Sequence, residues 1–359
     1  PDRICREQKK DDDTADSFPD FGDPLLNKID RTAVRTLRNC MQDVFEDGPK
    51  RDRRLWLGDL HLQAKVNYVS YKNYDLVKRC LYLFAGSAKS DGRLSSNIFL
   101  RPGIAADDAY MFDYALFFIS TLKDYVCASD DQETLRALYP CAERQIEIAR
   151  RAFSDTGCIK DSDRLGWCFT DWNLDLNKQA SAQGIYLYCL RDFALLSRML
   201  GKQAVLPLLK EEYENKKEAA LQCFYNKDFR LFTSGASAQI SWASQIWMVL
   251  AGVVEGDEAR RLLLRPEKFP DAVHIVTPYL YHFYIQALYT VGLEEKALEK
   301  IKAYWGGMIA QGADTFWELY DPADPAASPY GGTIVNSYCH AWSCTPAYFL
   351  RKYKDPGNV

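Results

Sequence analysis

Tryptophans and carboxylates occur together in three short stretches of the sequence, and that combination suits chemistry on sugars. The stretches are "EDGPKRDRRLWLGD" (46–59), "GWCFTDWNLD" (166–175) and "GADTFWELYDP" (312–322). An indole ring offers a flat apolar face on which a sugar ring can stack, while carboxyl groups bind hydroxyls or transfer protons. Glycoside hydrolysis needs two carboxyl groups, one to protonate the departing oxygen and one to activate water or attack carbon.

The candidate acids lie far apart in the chain. Asp47, Asp52 and Asp59 share the first stretch, whereas Glu318 lies in the third. Structural interpretations are open as well, because Asp59 could cap a following helix and Asp52 could pair with a neighbouring arginine. In "NSYCHAWS", His340 is either a hydrogen-bonded core residue or a sugar contact. These residues form one site only if the fold brings the two ends of the chain together.

Helical periodicity dominates the sequence after a polar N-terminal segment, and alternating strand patterns are scarce. Gly and Pro stop signals separate the periodic segments, and short turns such as "LGK" (200–202) indicate antiparallel helical hairpins. The predicted helices lie at about 25–45, 59–72, 74–88, 106–127, 131–154, 178–200, 202–225, 239–254, 256–265, 278–292, 293–310 and 336–351.

Twelve helices in paired hairpins predict an all-α fold, an (α/α)6 barrel of six inner and six outer helices. Segments that are apolar nearly all round, such as 108–122 and 277–289, suit the inner ring. An open helical solenoid is the alternative, although no fixed sequence period requires one. Loops at one rim of a barrel would collect the three stretches into one pocket. We expect residues 1–24 to be a linker or N-terminal extension and 25–359 to form the barrel.

Composition and charge exclude several classes of partner. The net charge of −4 and the pI near 5.7 indicate no basic surface for nucleic acid or an anionic membrane. The sequence contains no run of 18 apolar residues, the length needed to span a bilayer. The aromatic content of 13% fits a sugar cleft as well as a large core. Four histidines argue against a dedicated metal site around Cys339, His340 and Cys344, and no cofactor is predicted.

The eleven cysteines show no disulfide-scaffold spacing. Several, including Cys80 and Cys189, sit in apolar helical runs and are interpreted as small buried hydrophobic residues. This usage favours a cytoplasmic location, with a periplasmic one as the alternative. The chain begins at Pro1 instead of Met, which indicates a fragment or a processed product.

The first stretch resembles the signature of bacterial α-L-rhamnosidases, the inverting glycoside hydrolase family 78, whose loop reads approximately D-C-P-x-R-x-E-R-x-G-W-x-G-D. "DTFWELYDP" resembles the second signature of that family, and "NSYCHAWS" resembles the histidine segment that follows it. The resemblance runs from about residue 25 to 351, with the motifs in the same order. It implies an (α/α)6 catalytic barrel, a carbohydrate substrate, and flanking β-sandwich domains in the full-length protein.

The resemblance also implies roles for individual residues. Asp52 falls at the position of the general acid and Glu318 at that of the general base, and in an inverting enzyme their carboxyl groups lie roughly 6.5–9.5 Å apart. Trp56 and Trp172 would form apolar walls for the methyl group of a 6-deoxy sugar. The remaining predicted sugar contacts are Asp47, Arg51, Asp59, Asp171 and His340.

Two departures from the family signature affect the general acid. The family usually has Glu where this chain has Asp52, and the Gly before Trp56 is missing. Because a misplacement of about 1 Å can cost on the order of 100-fold in rate, the shorter acid needs a compensating backbone. An alternative alignment puts Arg53, which cannot donate a proton, at the acid position. We expect the charges of Asp47 and Asp59 to keep Asp52 protonated, against the effect of the flanking arginines.

The sequence therefore predicts inverting hydrolysis of terminal α-L-rhamnosyl residues from glycans or glycosides. Two alternatives are a six-hairpin glycosidase of different sugar specificity and a barrel that binds glycans without cleaving them. The direction of the Asp52 carboxyl discriminates between cleavage and binding. An Asp52 that faces Glu318 across a pocket indicates hydrolysis, and one that is turned onto Arg53 outside the pocket indicates binding alone.

Overall fold

The helices form a closed ring with an inner and an outer layer. The structure is a computed structural model that describes residues 18–160, 168–324 and 326–354. Within these ranges the outer helices are α1 (Pro24–Cys40), α3 (Tyr74–Gly86), α5 (Gln132–Arg150), α7 (Leu206–Phe224), α9 (Gly256–Leu264) and α11 (Glu294–Ala310). The inner helices are α2 (Leu57–Val69), α4 (Phe112–Ser129), α6 (Gln179–Met199), α8 (Trp242–Leu250), α10 (Pro278–Thr290) and the short α12 (Pro346–Phe349).

Inner helices contact one another in chain order, α2 with α4, then α6, α8 and α10. The ring closes through a 3₁₀ turn, Ala341–Cys344, that packs against both α10 and α2. The predicted all-α (α/α)6 barrel is therefore confirmed. The open solenoid is wrong because the last inner element returns to the first.

The difference between the two layers follows from the distribution of apolar residues. Helix α10 is apolar nearly all round and buries ten of its thirteen residues, as an inner helix must. Helix α11 buries seven of its seventeen residues, including a stripe at Ala297, Ile301, Trp305 and Met308 that faces inward. Capping side chains set two of the inner N-termini: Ser241 caps α8, and the Thr277 hydroxyl accepts a hydrogen bond from the Leu280 N–H of α10.

Aromatic rings fill the centre of the barrel. Phe117 stacks on Phe283 with ring centroids 5.6 Å apart, and Trp247 lies 4.3 Å from Phe283. His61 stacks on Phe117 at 5.0 Å and is fully buried. The high aromatic content therefore builds a solid core along the barrel axis as well as the walls of the cavity described below.

Four charged side chains on the inner helices lie close together and are here called the lysine cluster (Lys65, Lys123, Asp124 and Asp192). Asp124 accepts hydrogen bonds from Lys65 Nζ and Lys123 Nζ, each at 2.5 Å, and Lys123 Nζ lies 3.5 Å from Asp192. Burial by itself raises the pKa of Asp124, but the two ammonium groups lower it well below its usual range.

Three predicted helices differ clearly from their predicted bounds because the neighbouring chain pairs with other segments. The helix predicted over 25–45 ends at Cys40, and Met41 then forms a bridge with Phe45. The segment predicted as one helix over 336–351 is a 3₁₀ turn, α12 and a π-helical turn (Leu350–Lys354). The backbone of residues 337–340 instead hydrogen-bonds to the backbone of Phe316 and Glu318 and accepts from the Thr315 hydroxyl. The helix predicted from about 106 begins at Phe112. Two small antiparallel sheets border the loops: Leu55–Trp56, Asn97–Phe99 and Ala105–Ala106 in one, and Tyr225–Asn226, Leu231–Ser234 and Gln239–Ile240 in the other.

Residues 18–23, within the predicted linker, lie against the barrel, and Phe21 is buried there. The rest of that linker and residues 355–359 lie outside the described residues, so the boundary at residue 24 stays a prediction.

One pair of cysteines differs from the sequence-based interpretation. Cys80 and Cys189 are buried as expected, but Cys158 and Cys223 form a disulfide. This pair removes part of the basis for expecting a reducing compartment. In the part of the chain that the structure describes, no helix combines the length and the apolar character needed to cross a membrane.

Candidate active site

A small cavity opens at the N-terminal ends of the inner helices. Its volume is about 190 Å³, below the roughly 300–1,000 Å³ of sites for drug-sized ligands, and this size suits one small ring. Eight of the nine predicted site residues line it: Asp47, Arg51, Asp52, Trp56, Asp59, Trp172, Glu318 and His340. The remaining lining residues are Met111, Tyr114, Phe169, Tyr330 and Trp342.

The loop before α2 presents Asp52 through an unusual backbone turn. Asp52 and Arg53 both have left-handed conformations, with φ of 58° and 52°. Aspartate is several-fold enriched in that region among non-glycine residues, which gives a physical reason for the shorter acid at this position. The loop is closed by the Arg54 N–H, which donates to Asp47 Oδ1 at 2.9 Å.

Arg51 joins the two candidate catalytic carboxyl groups. Its Nη1 lies 3.5 Å from Asp52 Oδ1, and its Nη2 donates to Glu318 Oε2. Arg53 instead donates from Nε to the Pro49 carbonyl at 2.7 Å. Asp52 therefore faces the cavity that Glu318 also lines and is not turned onto Arg53, which is the arrangement expected of a hydrolase.

The backbone fixes the place of Glu318 in the cavity wall. Its N–H donates to the Ser337 carbonyl at 2.9 Å, and its carbonyl accepts from Trp342 Nε1 at 2.9 Å. Trp342 in turn contacts the imidazole of His340, with ring centroids 4.4 Å apart. The side chain of Glu318 is almost fully buried, whereas that of Asp52 is 30% exposed.

Three buried carboxyl groups surround one imidazole in what we call the carboxyl cluster (Asp47, Asp59, Glu318 and His340). His340 Nε2 lies 3.0 Å from Asp59 Oδ1. Burial by itself lowers the pKa of His340, but the negative charges of Glu318 and Asp59 raise it to about 9. His340 is therefore an imidazolium at neutral pH.

Burial also raises the pKa of Asp47, to about 8, with the positive His340 opposing and Asp59 adding to the rise. The pKa of Asp59 is raised by burial as well, against its hydrogen bond with His340. Asp47 is thus mostly neutral at pH 7. Asp47 therefore contributes little negative charge beside Asp52 at that pH.

Asp171 is the one predicted sugar contact that does not line this cavity. Its Oδ1 accepts from the Thr277 hydroxyl at 2.6 Å, and its Oδ2 accepts from the Val276 N–H at 2.8 Å. Burial raises its pKa to about 6, against these hydrogen bonds. Asp171 thus holds the start of α10 and accepts a hydrogen bond from the Trp172 N–H at 3.0 Å. Residues 161–167, which include the start of the second tryptophan stretch, lie outside the described residues.

Several cavity residues were missed from the sequence. Tyr114 belongs to an apolar run that is indistinguishable from core, whereas Phe169 stands in the second tryptophan stretch but is neither a tryptophan nor a carboxylate. The two rings line the cavity with centroids 5.8 Å apart. Trp342, two residues after His340, carried a usable signal because it repeats the pairing of tryptophan with a polar site residue. Tyr330 has no such neighbour and lies in a stretch interpreted only as a turn.

The described residues offer no group of three or more His, Cys, Asp or Glu side chains placed to hold a metal ion. A larger groove of about 1370 Å³ opens where the inner helices α6, α8 and α10 end. None of the predicted site residues lines that groove, although Asp192 of the lysine cluster does. The paired carboxyl groups, the tryptophan walls and the buried hydrogen-bonding side chains all lie in the smaller cavity.

An (α/α)6 barrel with two carboxyl groups and tryptophan walls in its loop-end cavity defines a six-hairpin glycosidase type of domain. The family model for the bacterial alpha-L-rhamnosidase six-hairpin glycosidase domain matches residues 20–353. The chain belongs to that family.

Solved structures give the same family. A rhamnosidase from Klebsiella oxytoca with rhamnose bound is 50% identical, with a TM-score of 0.91 over 95% of this chain and 65% of that one. A GH78 family rhamnosidase of Bacillus sp. GL1 is 25% identical, with a TM-score of 0.81 over 91% of this chain and 35% of that one. An α-L-rhamnosidase from Streptomyces avermitilis complexed with L-rhamnose, at 18% identity and a TM-score of 0.70 over 92% of this chain and 31% of that one, shares the fold.

The chain thus spans about two thirds of the length of its Klebsiella relative and about one third of that from Bacillus. The comparison with curated proteins gives no match.

Proposed function

We propose that this barrel hydrolyses terminal α-L-rhamnosyl residues with inversion of configuration. The observation that carries the proposal is that Asp52 and Glu318 line one cavity and are joined by Arg51. The membership of the family and the rhamnose bound to the 50% identical relative support the choice of sugar.

Asp52 is the general acid in this proposal. Its carboxyl is the more exposed of the pair, so it stands on the side from which a leaving group departs. When a glycoside binds, its linking oxygen takes the proton from Asp52, and the resulting carboxylate remains beside the Arg51 guanidinium. Because Asp52 is one methylene shorter than glutamate, we attribute its reach into the cavity to the left-handed backbone at this residue.

Glu318 is the general base in this proposal, and it removes a proton from the water that attacks the anomeric carbon. The charged His340 and the neutral Asp47 supply hydrogen-bond donors toward sugar hydroxyls, and Asp59 and Arg51 complete the polar wall. Trp56 and Trp172 provide apolar walls against the sugar ring and its methyl group. We propose a separation of the two carboxyl groups of roughly 6.5–9.5 Å, which leaves room for the water.

Release of the phenol from 4-nitrophenyl α-L-rhamnopyranoside tests the function. This leaving group barely needs protonation, so Glu318→Gln should lower kcat by about 10²–10⁴-fold and Asp52→Asn by much less. Glu299→Gln, on an exposed helix face, is the matched control and should keep wild-type turnover. The anomer of rhamnose that forms first, followed by NMR, distinguishes inversion from retention.

An inactive wild type that cleaves another aryl glycoside would support a different sugar specificity. Inactivity toward a full panel, with L-rhamnose still bound, would support a barrel that binds without cleaving. Because the chain spans only part of its relatives, we also propose that further domains accompany this barrel in the longer protein.

A further inference from the structure

The chain from residue 326 to 336, here called the strap, lies against the cavity and is fastened to the loop that carries Asp52. Lys50 Nζ donates to the Asn336 carbonyl at 2.8 Å, and Arg51 Nε donates to the Val335 carbonyl at 2.9 Å. Within the strap, Asn336 Nδ2 donates to the Ala327 carbonyl at 2.9 Å. The C-terminal end of the strap is therefore held by the loop that carries Asp52, and its N-terminal end is tied to that C-terminal end.

Tyr330, in the middle of the strap, contacts the candidate base directly. Its hydroxyl donates to Glu318 Oε1 at 2.5 Å. The Arg51 guanidinium lies over its ring, 4.1 Å from the centroid, and Trp172 packs edge-to-face against it with ring centroids 5.8 Å apart. Burial and the nearby Glu318 raise the pKa of Tyr330, so its phenol keeps the proton that it donates.

These contacts fix the orientation of the Glu318 carboxylate, which the backbone hydrogen bonds of Glu318 leave free. The terminal torsion of a glutamate side chain is broad and roughly two-fold, so a fixed backbone does not by itself fix the carboxylate plane. Tyr330 holds Oε1 and Arg51 holds Oε2. A carboxylate has about four acceptor sites, so positions remain at which a water can bind in a defined direction.

We propose that Tyr330 is a positioning residue for Glu318: it fixes the plane of the carboxylate so that the attacking water is held in line with the anomeric carbon, and its ring supports the guanidinium that holds the other oxygen. The inference rests on the proposed hydrolytic function and deepens it. Tyr330 itself moves no proton in the reaction.

The test compares variants by their kcat and KM for 4-nitrophenyl α-L-rhamnopyranoside. Tyr330→Phe keeps the ring and removes only the hydroxyl, and it should lower kcat roughly 10- to 100-fold with KM changed less than about two-fold, because misplacement of a reacting group acts on the transition state. Tyr330→Leu also removes the support for Arg51 and should lower kcat further. Tyr338→Phe, an exposed tyrosine eight residues along, is the matched control and should behave as wild type.

A role through Glu318 predicts that the two positions are not independent. In Glu318→Asp, whose carboxylate is withdrawn by one methylene, Tyr330→Phe should cause no further loss of kcat. Equal fold losses in both backgrounds, or a raised KM with kcat intact, would overturn the inference and leave the hydrolase function standing.

A wild type without glycosidase activity would refute the proposed function and this inference together. Thermal unfolding and L-rhamnose binding, measured for every variant, separate a loss of positioning from a loss of fold. Weaker rhamnose binding by Tyr330→Phe would make Tyr330 a sugar contact and also overturn the inference.

Discussion

The two polar clusters of the barrel are both buried, and they hold their charges in opposite ways. Helix α2 carries Asp59 of the carboxyl cluster and Lys65 of the lysine cluster, six residues apart or about 9 Å along the helix axis. In the lysine cluster each carboxylate meets an ammonium group, and the pKa of Asp124 is lowered. In the carboxyl cluster acids outnumber bases, and the pKa of Asp47 is raised.

Burial alone therefore does not decide the protonation of these groups, because the local balance of charge does. In the lysine cluster this holds for Asp124, which two ammonium groups contact, whereas burial outweighs the single ammonium of Lys123 and raises the pKa of Asp192. The carboxyl cluster retains protons near neutral pH at some expense in stability, and it keeps hydrogen-bond donors available in a cavity. Replacing an aspartate by asparagine should therefore have different effects in the lysine cluster and in the carboxyl cluster.

The largest expected difference comes from removing one carboxylate from each cluster. Asp124→Asn leaves two buried lysines without their shared partner and should lower the free energy of unfolding by about 3–5 kcal/mol. Asp47→Asn replaces a group that is already mostly neutral at pH 7 and should cost roughly 1 kcal/mol or less. Denaturant unfolding at pH 7 measures both, and equal losses would contradict the contrast in charge balance.

The next largest effect is on the alkaline side of the stability profile. The pKa of His340 rises from 6.5 to about 9 on folding, so its contribution is fully present below pH 6.5 and is lost as the pH rises through 9. That loss corresponds to about 3 kcal/mol. Unfolding measured between pH 6.5 and 9.5 should show a smaller decline in His340→Gln than in wild type.

The smallest expected effect is on the acidic side. Burial and Lys65 lower the pKa of His282, which packs near the lysine cluster, so the unfolded chain binds more protons below pH 6.5 and stability falls there. His282→Gln should lessen that fall by up to about 2 kcal/mol between pH 7 and pH 5, measured by denaturant unfolding, because 1.5 pH units below 6.5 correspond to that free energy. Each histidine variant is the control for the other. A change in stability over the same pH range in both variants would contradict the comparison.

The barrel was largely predictable because its signals are local. Periodic apolar residues and Gly or Pro stops located the hairpins, and the inner character of 277–289 followed from its uniformly apolar sequence. The helix over 336–351 was wrong for a reason that no local pattern contains. The Glu318 N–H donates to the Ser337 carbonyl, and the His340 N–H donates to the Phe316 carbonyl, so this segment pairs with a distant loop instead of forming a helix.

The site was predictable where residue types pair in sequence and not where they pair only in space. Asp52 and Trp56 stand in one stretch, so their joint role was visible. Tyr330 reaches Glu318 from a stretch rich in Gly and Pro, and its partner Arg51 lies far away in the sequence. The hydrogen bonds that occupy Asp171 come from residues 276 and 277, which its own stretch does not reveal.

The bonds from Lys50 and Arg51 to the strap and to Glu318 join residues that are 267 to 286 positions apart in the chain. His340 and Asp59 are separated by a further long interval of 281 residues. Contacts of such separation form only after the intervening chain has folded and the loop-closure entropy has been met. During synthesis, which delivers the N-terminal helices first, five hairpins can assemble with no competent cavity among them. We therefore expect the proposed activity to require the docked sixth hairpin, so its appearance during refolding would report the last step in assembly of the ring.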